Sequence, residues 1–455
     1  MTKIYSARWV LPIASAGIDY GAVATEDDKI VAVGEASAIA SRFPHAPVTN
    51  FGTSVILPGL VNSHSHLELT VMRGFLECQE HDFFAWLRKL TIARMVMGAD
   101  DLFVSAACGA IEAARAGITC VGDSSSVATR AMKAVSEIGL RGIVFQESFG
   151  PDPNVAEQTV AALQHELDAM RAIETSLVRA GVSPHAPYTV SAPQLELISR
   201  MAIDDKLPLM MHAAESQAEK SLMLEGSGAF ADGLRKRNID WKAPGISSIQ
   251  YLARHGVMEA KPLLAHCITV DDDDIEMIRV TGASVAHCPK SNAKLRHGHA
   301  PFGKFINADL KVGLGSDSVA SNNNCDILEE AQFALLSARA AKTDSGPENL
   351  NAEMALFAAT LGGARALGLD HVVGSLRAGM QADLTVIGLD GLHQRPVTNP
   401  VDTLIFSSSG RDVRVTIVAG KEVFRDDVVT TANQSDLGSR LMLVRDKLED
   451  AVKQQ

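Results

Sequence analysis

The chain has 455 residues, 46% of them hydrophobic and 21% charged, which is the composition of a globular protein and excludes a disordered or fibrous one. A formal net charge of -12 at pH 7 and a pI of about 5.6 argue against nucleic acid or an anionic membrane as the partner, and favour a small neutral or cationic ligand. Six cysteines without a Cys-x-x-Cys pair suit reduced thiols, read as buried spectators.

At the N-terminus Arg8 and Pro12 interrupt the apolar core that a signal peptide needs, and no apolar stretch reaches bilayer-spanning length, so a cytoplasmic protein without a membrane partner is expected. Residues 4 to 57 alternate short β-rich runs with Gly, Asp and Pro, as a small β-structure does. The next run, Pro58-Gly-Leu-Val-Asn-Ser-His64-Ser-His66, reads as a strand that ends in two histidines. Side chains alternate along a strand, so His64 and His66 share a side and can share one ion. Neutral imidazole is the commonest protein ligand for zinc and similar metals.

Beyond His66, helical stretches alternate with short apolar strands. These are Ile118 to Asp123, Gly142 to Glu147, Ala180 to His185, Pro208 to His212, Pro262 to His266, Ala283 to His287 and Lys311 to Asp317. With the strand before His64 they number eight, and continuous apolar strands separated by helices imply a parallel sheet covered on its outside. Eight such units suggest a (β/α)8 barrel. Nearly every strand ends in a residue able to bind a metal or move a proton: His64 and His66, Asp123, Glu147, His185, His212, His266, His287 and Asp317. In a barrel the C-terminal strand ends converge on one mouth, so these residues become neighbours.

Between the strands, residues 216 to 250 carry Gly226, Gly228, Gly233 and Pro244-Gly245, and a loop-rich cover over the mouth is expected there. The acidic run Asp271 to Asp274 falls where a helix should begin, and carboxylates stabilise that end of the helix dipole. His297 and His299 lie in a polar Gly-containing loop and are read as facing solvent or ligand rather than metal.

The run ending in His64-Ser-His66, the segment His212-Ala-Ala-Glu215, Ala265-His266-Cys, Ala286-His287-Cys-Pro-Lys-Ser-Asn292 and Gly315-Ser-Asp317-Ser together resemble the amidohydrolase superfamily, and within it the cytosine deaminase and adenosylhomocysteine deaminase branch. The resemblance extends to Gly374-Ser-Leu-Arg-Ala-Gly-Met-Gln-Ala-Asp383 and so covers nearly the whole chain. It implies an α/β fold, a (β/α)8 TIM-like barrel on a small β-sandwich domain formed by both chain ends. Residues 1–57 and 371–430 would be the two parts of the β-domain, 58–370 the barrel and 431–455 a C-terminal helix.

The same resemblance implies that His64, His66, His212 and Asp317 hold one divalent ion, with Zn2+ expected and Fe2+ as the alternative. A catalytic zinc keeps a place for water, which ionises near neutral pH. His266 would hydrogen-bond to that water. Glu215 would shuttle its proton to the ring nitrogen and on to the leaving amine, a task that suits a carboxylate. Asp317 would act both as ligand and as proton acceptor. His185, flanked by Pro184 and Pro187, is read either as a substrate contact or as a structural histidine in a rigid loop, and His287 as support for the site. Binuclear members usually bridge two ions with a lysine from the fourth strand. Val178-Arg-Ala-Gly-Val-Ser-Pro-His185 has none, so a single metal is expected.

Substrate contacts are expected from Glu68, Trp86 and Arg94, in the loop and helix after the first strand, and from His185. In the adenosylhomocysteine deaminases an acidic residue shortly after the matching Trp-Leu holds the ribose, whereas here Trp86-Leu87 is followed by Thr91-Ile-Ala-Arg94. The pattern His66-Leu-Glu68-Leu and the Arg94 region are closer to the aminodeoxyfutalosine deaminases, which act on an adenine nucleoside carrying a benzoate. Arg73, Arg88, Arg94 or Lys290 would meet that carboxylate, unless each is a solvated surface charge. The expected activity is hydrolytic release of ammonia from an amino-substituted heteroaromatic ring, foremost an adenine nucleoside such as aminodeoxyfutalosine or adenosylhomocysteine. Dechlorination or deamination of s-triazine or pterin rings is the alternative. A homo-oligomer is expected.

Overall fold

A computed structural model describes residues 1–341 and 350–453; positions 342–349 of the expected barrel segment and the last two of the expected C-terminal helix lie outside the described residues. Eight parallel strands build the barrel in two groups of four. The first group is Leu60–Ser65, Ile118–Ser125, Arg141–Ser148 and Val178–Pro184. The second is Met210–Ala213, Leu263–His266, Ser284–His287 and Lys311–Leu314. Parallel bridges from Val182 to Leu209 and from Ser65 to Asp317 join the groups at both seams and close the ring.

The apolar runs are continuous because both faces of each strand are buried. Val61, Cys120, Ile143, Phe145, Met210, Leu263, Ala265 and Ala286 pack into one cluster. Their neighbours Leu60, Val121, Val144, Met211, Leu264 and Val285 belong to a second cluster shared with the surrounding helices. Strict alternation from Val61 would turn His64 and His66 away from the interior. The register of the first strand against the second slips between Asn62 and Ser65, as at a β-bulge, and the two imidazoles meet His212.

Both chain ends contribute to a nine-stranded sheet. Ser54–Pro58 pairs antiparallel with Leu384–Gly388, so the N-terminal strands Thr2–Val10, Ile18–Glu26 and Lys29–Glu35 continue into Val413–Val418 and Lys421–Arg425. Tyr5, Val10, Val23, Ile56, Leu384 and Ile417 share its apolar core. A buried ion pair fastens this sheet to the barrel. Arg141, which opens the third barrel strand, donates from Nε to Asp383 Oδ2 at 2.8 Å and from Nη2 to Oδ1 at 3.0 Å.

Residues 216 to 250 carry two helices where a loop-rich cover was expected, with loop at 237 to 247 before the next helix. Ser216 caps the helix Gln217–Glu225 by accepting from the Glu219 amide, and Gly226 ends it in the left-handed region at φ +64°. The glycines are therefore helix punctuation, and Gly228–Lys236 follows at once. Asp271 caps Asp272–Thr281, with Asp274 completing the reciprocal bond to the Asp271 amide. The C-terminal helix Gln434–Lys453 places Val444 and Leu448 against Trp86 and Leu90 of the helix Phe83–Met95. No helix among the described residues is long and apolar enough to cross a membrane. Cys120, Cys267, Cys288 and Cys325 are buried, Cys108 is half-buried and Cys78 is exposed.

Removing one partner of a buried, doubly hydrogen-bonded ion pair leaves the other charge uncompensated. Asp383→Ala is therefore expected to lower stability by about 3–5 kcal/mol in urea unfolding. A loss below about 1 kcal/mol would show that the pair is not what joins sheet to barrel.

Candidate active site

Four of the expected residues converge at the barrel mouth. One ring nitrogen each of His64, His66 and His212 lies within 4.8 Å of the other two. Asp317 Oδ1 stands 3.5 Å from His64 Nε2 and 3.6 Å from His66 Nε2. His212 Nδ1 donates to the His185 carbonyl at 2.9 Å, which leaves Nε2 with a free lone pair, 3.3 Å from His66 Nε2. Neither ring nitrogen of His64 has a hydrogen-bond partner, although the side chain is fully buried. Burial drives the pKa values of His64, His66 and His212 down, so the imidazoles are neutral. It opposes the Asp317 charge, yet the His64 ring 3.5 Å away and the imidazoles of His266 and His66 hold that carboxyl well below its usual range. Ser291 and Ser321 donate to Asp317 Oδ2 at 2.5 and 2.9 Å. Three neutral imidazoles, one of them orphaned, facing one carboxylate form a donor set that fits a divalent cation.

Glu215 lies beside this set. Its Oε2 accepts from the Tyr188 hydroxyl at 3.0 Å, and its Oε1 is 3.7 Å from both His266 Nε2 and His297 Nδ1. Burial pushes the Glu215 carboxyl up to about 7; His212 and Tyr188 pull against the shift and Asp317 adds to it. A carboxyl poised there can both take and return a proton near neutral pH. His266 is oriented by its Nδ1, 2.8 Å from Asn292 Oδ1. The backbone is left-handed at His266 (φ +72°) and Asp317 (φ +55°), which re-aims side chains that strand alternation alone would misplace.

A cavity of about 70 Å³ opens on these groups. Trp86, Arg94 and His185 line it, as expected for substrate contacts. Glu68 does not; it is buried and accepts from Ser125 Oγ and from the amide and hydroxyl of Ser126. Arg94 Nη1 sits 3.4 Å from Glu147 Oε2 and 3.9 Å from Glu68 Oε1, so its charge is already matched inside the protein. Arg73 pairs with Glu112, Lys290 with Glu329, and Arg88 is exposed. His185 approaches Thr189 Oγ1 at 2.9 Å and tilts against His212 at a ring separation of 4.6 Å. His287 stacks on Phe302 behind the site. Asp123 turns to Ser65 Oγ and the Leu67 amide, each at 2.8 Å, and burial pushes it up to about 8. Tyr188 and Asn292 stand in the very segments that carry His185 and His287, yet their roles had no signal beyond that proximity. His297 reaches Glu215 because its loop folds back under Phe83, whose ring meets it edge-on at 4.4 Å.

An eight-stranded parallel barrel whose strand ends aim imidazoles and carboxylates at one point has the form of a metal-binding site. The family model described as "Amidohydrolase family" matches residues 55–423, and the chain belongs to this family. A second model, "Imidazolonepropionase-like composite domain, bacteria", matches residues 21–46 within the N-terminal strands. The 5-methylthioadenosine/S-adenosylhomocysteine deaminase 1 of Syntrophus aciditrophicus is 30% identical over 440 residues, covering 96% of this chain and 95% of its own. The 5-methylthioadenosine/S-adenosylhomocysteine deaminase of Syntrophobacter fumaroxidans is 30% identical over 434 residues, covering 94% and 93%. Among solved structures, an adenosine deaminase from Xanthomonas campestris with bound zinc superposes with a TM-score of 0.85 at 26% identity, covering 98% of both chains. A zinc-bound atrazine chlorohydrolase from Arthrobacter aurescens reaches 0.84 at 22% identity, covering 97% and 99%, and shares the fold.

A site with four protein donors has none to spare. His212→Ala is expected to lower bound metal below one equivalent and abolish turnover, read by elemental analysis of the purified protein. Full occupancy in that variant would remove His212 from the set.

Proposed function

We propose that the protein is a hydrolytic deaminase that releases ammonia from an amino-substituted heteroaromatic ring of the adenine type. The observation that carries this reading is Glu215, a buried carboxyl with a pKa near 7, held between Tyr188, His266 and His297 beside the histidine cluster. The relatives named for 5-methylthioadenosine and S-adenosylhomocysteine support it, since both molecules present an amino carbon next to a ring nitrogen.

We assign His64, His66, His212 and Asp317 as the donors to one zinc ion, with iron as the alternative. A single ion is supported by the second cluster of donors, Glu147, His185 and His212. It shares His212 with the first and carries the Arg94 guanidinium 3.4 Å from Glu147, a fixed positive charge that opposes a second cation. A divalent cation at such a set supplies hydroxide from water near neutral pH. Glu215 accepts a proton from the attacking water and delivers it to the ring nitrogen as the new C–O bond forms at the amino carbon. Asp317 takes the proton left on the new hydroxyl group and that proton passes to the amine, so the C–N bond breaks and leaves ammonia and an oxo ring. Tyr188 fixes the Glu215 carboxyl by its hydrogen bond, His297 stands 3.7 Å from the other oxygen, and His266 orients the water.

Glu215→Gln keeps the shape and removes the relay. Bound metal is expected to stay near one equivalent while kcat for ammonia release falls by roughly 10²-fold or more. Near wild-type release would make a leaving group that needs no proton, such as chloride, the better reading.

The pH profile offers an independent check. The base form of Glu215 is the ionised one, so kcat/KM should fall tenfold per pH unit on the acid side, with a midpoint at or below about 7 because a nearby cation favours the carboxylate. A rate that stayed flat down to pH 4 would exclude Glu215 as the base.

A further inference from the structure

At the end of the barrel where the strands begin, opposite the histidine cluster, lies a second and larger cavity. It measures about 570 Å³ and is lined by Arg179, Lys206, Lys261, Lys311 and Arg365, with Glu259 as the one carboxylate among the described residues. That volume falls among those of small-molecule sites, roughly 300–1,000 Å³. The chain carries 54 acidic residues against 42 basic ones, so five cations facing one carboxylate run against its composition.

These cations are also left open. Arg73, Arg141, Lys290 and Arg414 are each closed on a carboxylate. No ion pair among the described residues involves Arg179, Lys206, Lys261 or Lys311, and Arg365 reaches Asp370 only at 3.9 Å. Lys311 Nζ stands 3.4 Å from the Gly282 carbonyl, and Lys261 Cδ lies 3.9 Å from where a side chain on Gly282 would begin, so both arms lie over one turn. The backbone adds a second observation. Gly139 and Gly282, in the turns before the third and seventh strands, are left-handed at φ +87° and +76°. Lys206 and Lys261 hold the same region, at φ +54° and +50°, before the fifth and sixth strands, where glycine would be free of strain. Helix ends favour a cation at those two turns, but Arg179 and Lys311 stand on strands, where no helix dipole holds them.

Phe145, Leu207, Leu209 and Leu263 give the same cavity an apolar wall. A cleft of one sign of charge with low-dielectric walls focuses its field and concentrates counter-ions. Salt screens the charge of the whole chain over roughly 8 Å, so the nearest charges decide what binds. One phosphate ester carries roughly 1.5–2 negative charges near pH 7, and four unpaired cations therefore call for at least two such groups.

We infer that this cavity is a binding site for an oligophosphate, separate from the histidine cluster and independent of the deaminase reading. Arg179 offers a planar fork for one phosphate, and the lysines offer point charges for the others.

The metal-loaded protein is titrated by calorimetry with inorganic tripolyphosphate and with uridine triphosphate, at about 0.15 M salt, where weak surface attraction is screened. Wild type is expected to bind one equivalent. Lys206→Gln/Lys261→Gln should bind at least tenfold more weakly, because each bond to a charged group accounts for roughly tenfold or more, while bound metal stays near one equivalent. Adding Lys311→Gln should weaken binding by about tenfold again. Lys3→Gln/Lys421→Gln removes the same charge from the terminal sheet and should bind as wild type does. The ligand should also raise Tm in wild type and in that control more than in the cavity variants. Equal affinity for the two ligands, lost in the cavity variants, supports a site that reads the phosphate chain alone; uridine triphosphate bound at least tenfold more tightly supports a nucleotide whose base uses the apolar wall. Absence of saturable binding in wild type overturns the inference. So does equal weakening in the cavity and control variants, or heat that is unchanged in the cavity variants, as withdrawal of metal by the phosphates would give.

Discussion

Burying three imidazoles, two nearly parallel and the third roughly perpendicular to both, around a point that no side-chain donor fills is the constraint on which the site depends. Each lone pair kept from water and from a hydrogen bond costs free energy, and the carboxylate of Asp317 costs more. That arrangement persists only if the backbone over-determines it. The Asp317 amide donates to the His64 carbonyl at 2.9 Å, so the contact that closes the barrel between its first and last strands also closes the donor set. Left-handed backbone at Asp317 and His266 adds on the order of 1–3 kcal/mol of local strain at each residue, stored where the chemistry is proposed. A cation offsets these costs together.

The two chain ends supply the counterweight. Arg141 and Asp383 bind the base of the third strand to the terminal sheet, while Val444 and Leu448 of the last helix press on the inner side of Phe83–Met95. Arg445 donates to the carbonyls of Val71 and Arg73 in the loop that precedes that helix. The wall of the cavity is thus braced by residues more than 350 positions further along the chain. This explains how a short apolar helix after the first strand holds its place over a polar mouth.

Most of the residues that meet at the mouth were legible because strand ends announce themselves. An apolar run followed by His or Asp needs no tertiary information, and eight such runs imply their own convergence. Glu68 misled for a related reason: it follows His66 by two residues and looks like part of the same cluster, but the chain turns into a 3-10 helix there and the side chain swings to Ser125 and Ser126. His297 was illegible in the opposite sense. A histidine in a Gly-containing polar loop carries no period, and only the fold of that loop under Phe83 brings it to Glu215. The glycines at 226 and 228 look alike in a helix break and in an open loop, so the cover could not be assigned its two helices from composition. Asp383 belonged to the resemblance, but its partner Arg141 lies 242 positions away, beyond the reach of any local pattern.

The site also shows how one barrel gives unlike work to like side chains. Glu215 accepts from a phenol and faces two imidazoles at 3.7 Å, and burial pushes its carboxyl up to about 7. Burial pushes the Glu147 carboxyl up too, and the Arg94 guanidinium 3.4 Å away pulls against that shift. The two carboxylates differ through their neighbours, a phenol for one and a guanidinium for the other, not through themselves. Arg94 comes from the helix after the first strand, whereas Tyr188 and His297 come from loops after the fourth and seventh. Changes in those three segments can therefore reshape the cavity without disturbing the strand ends that carry the histidine cluster.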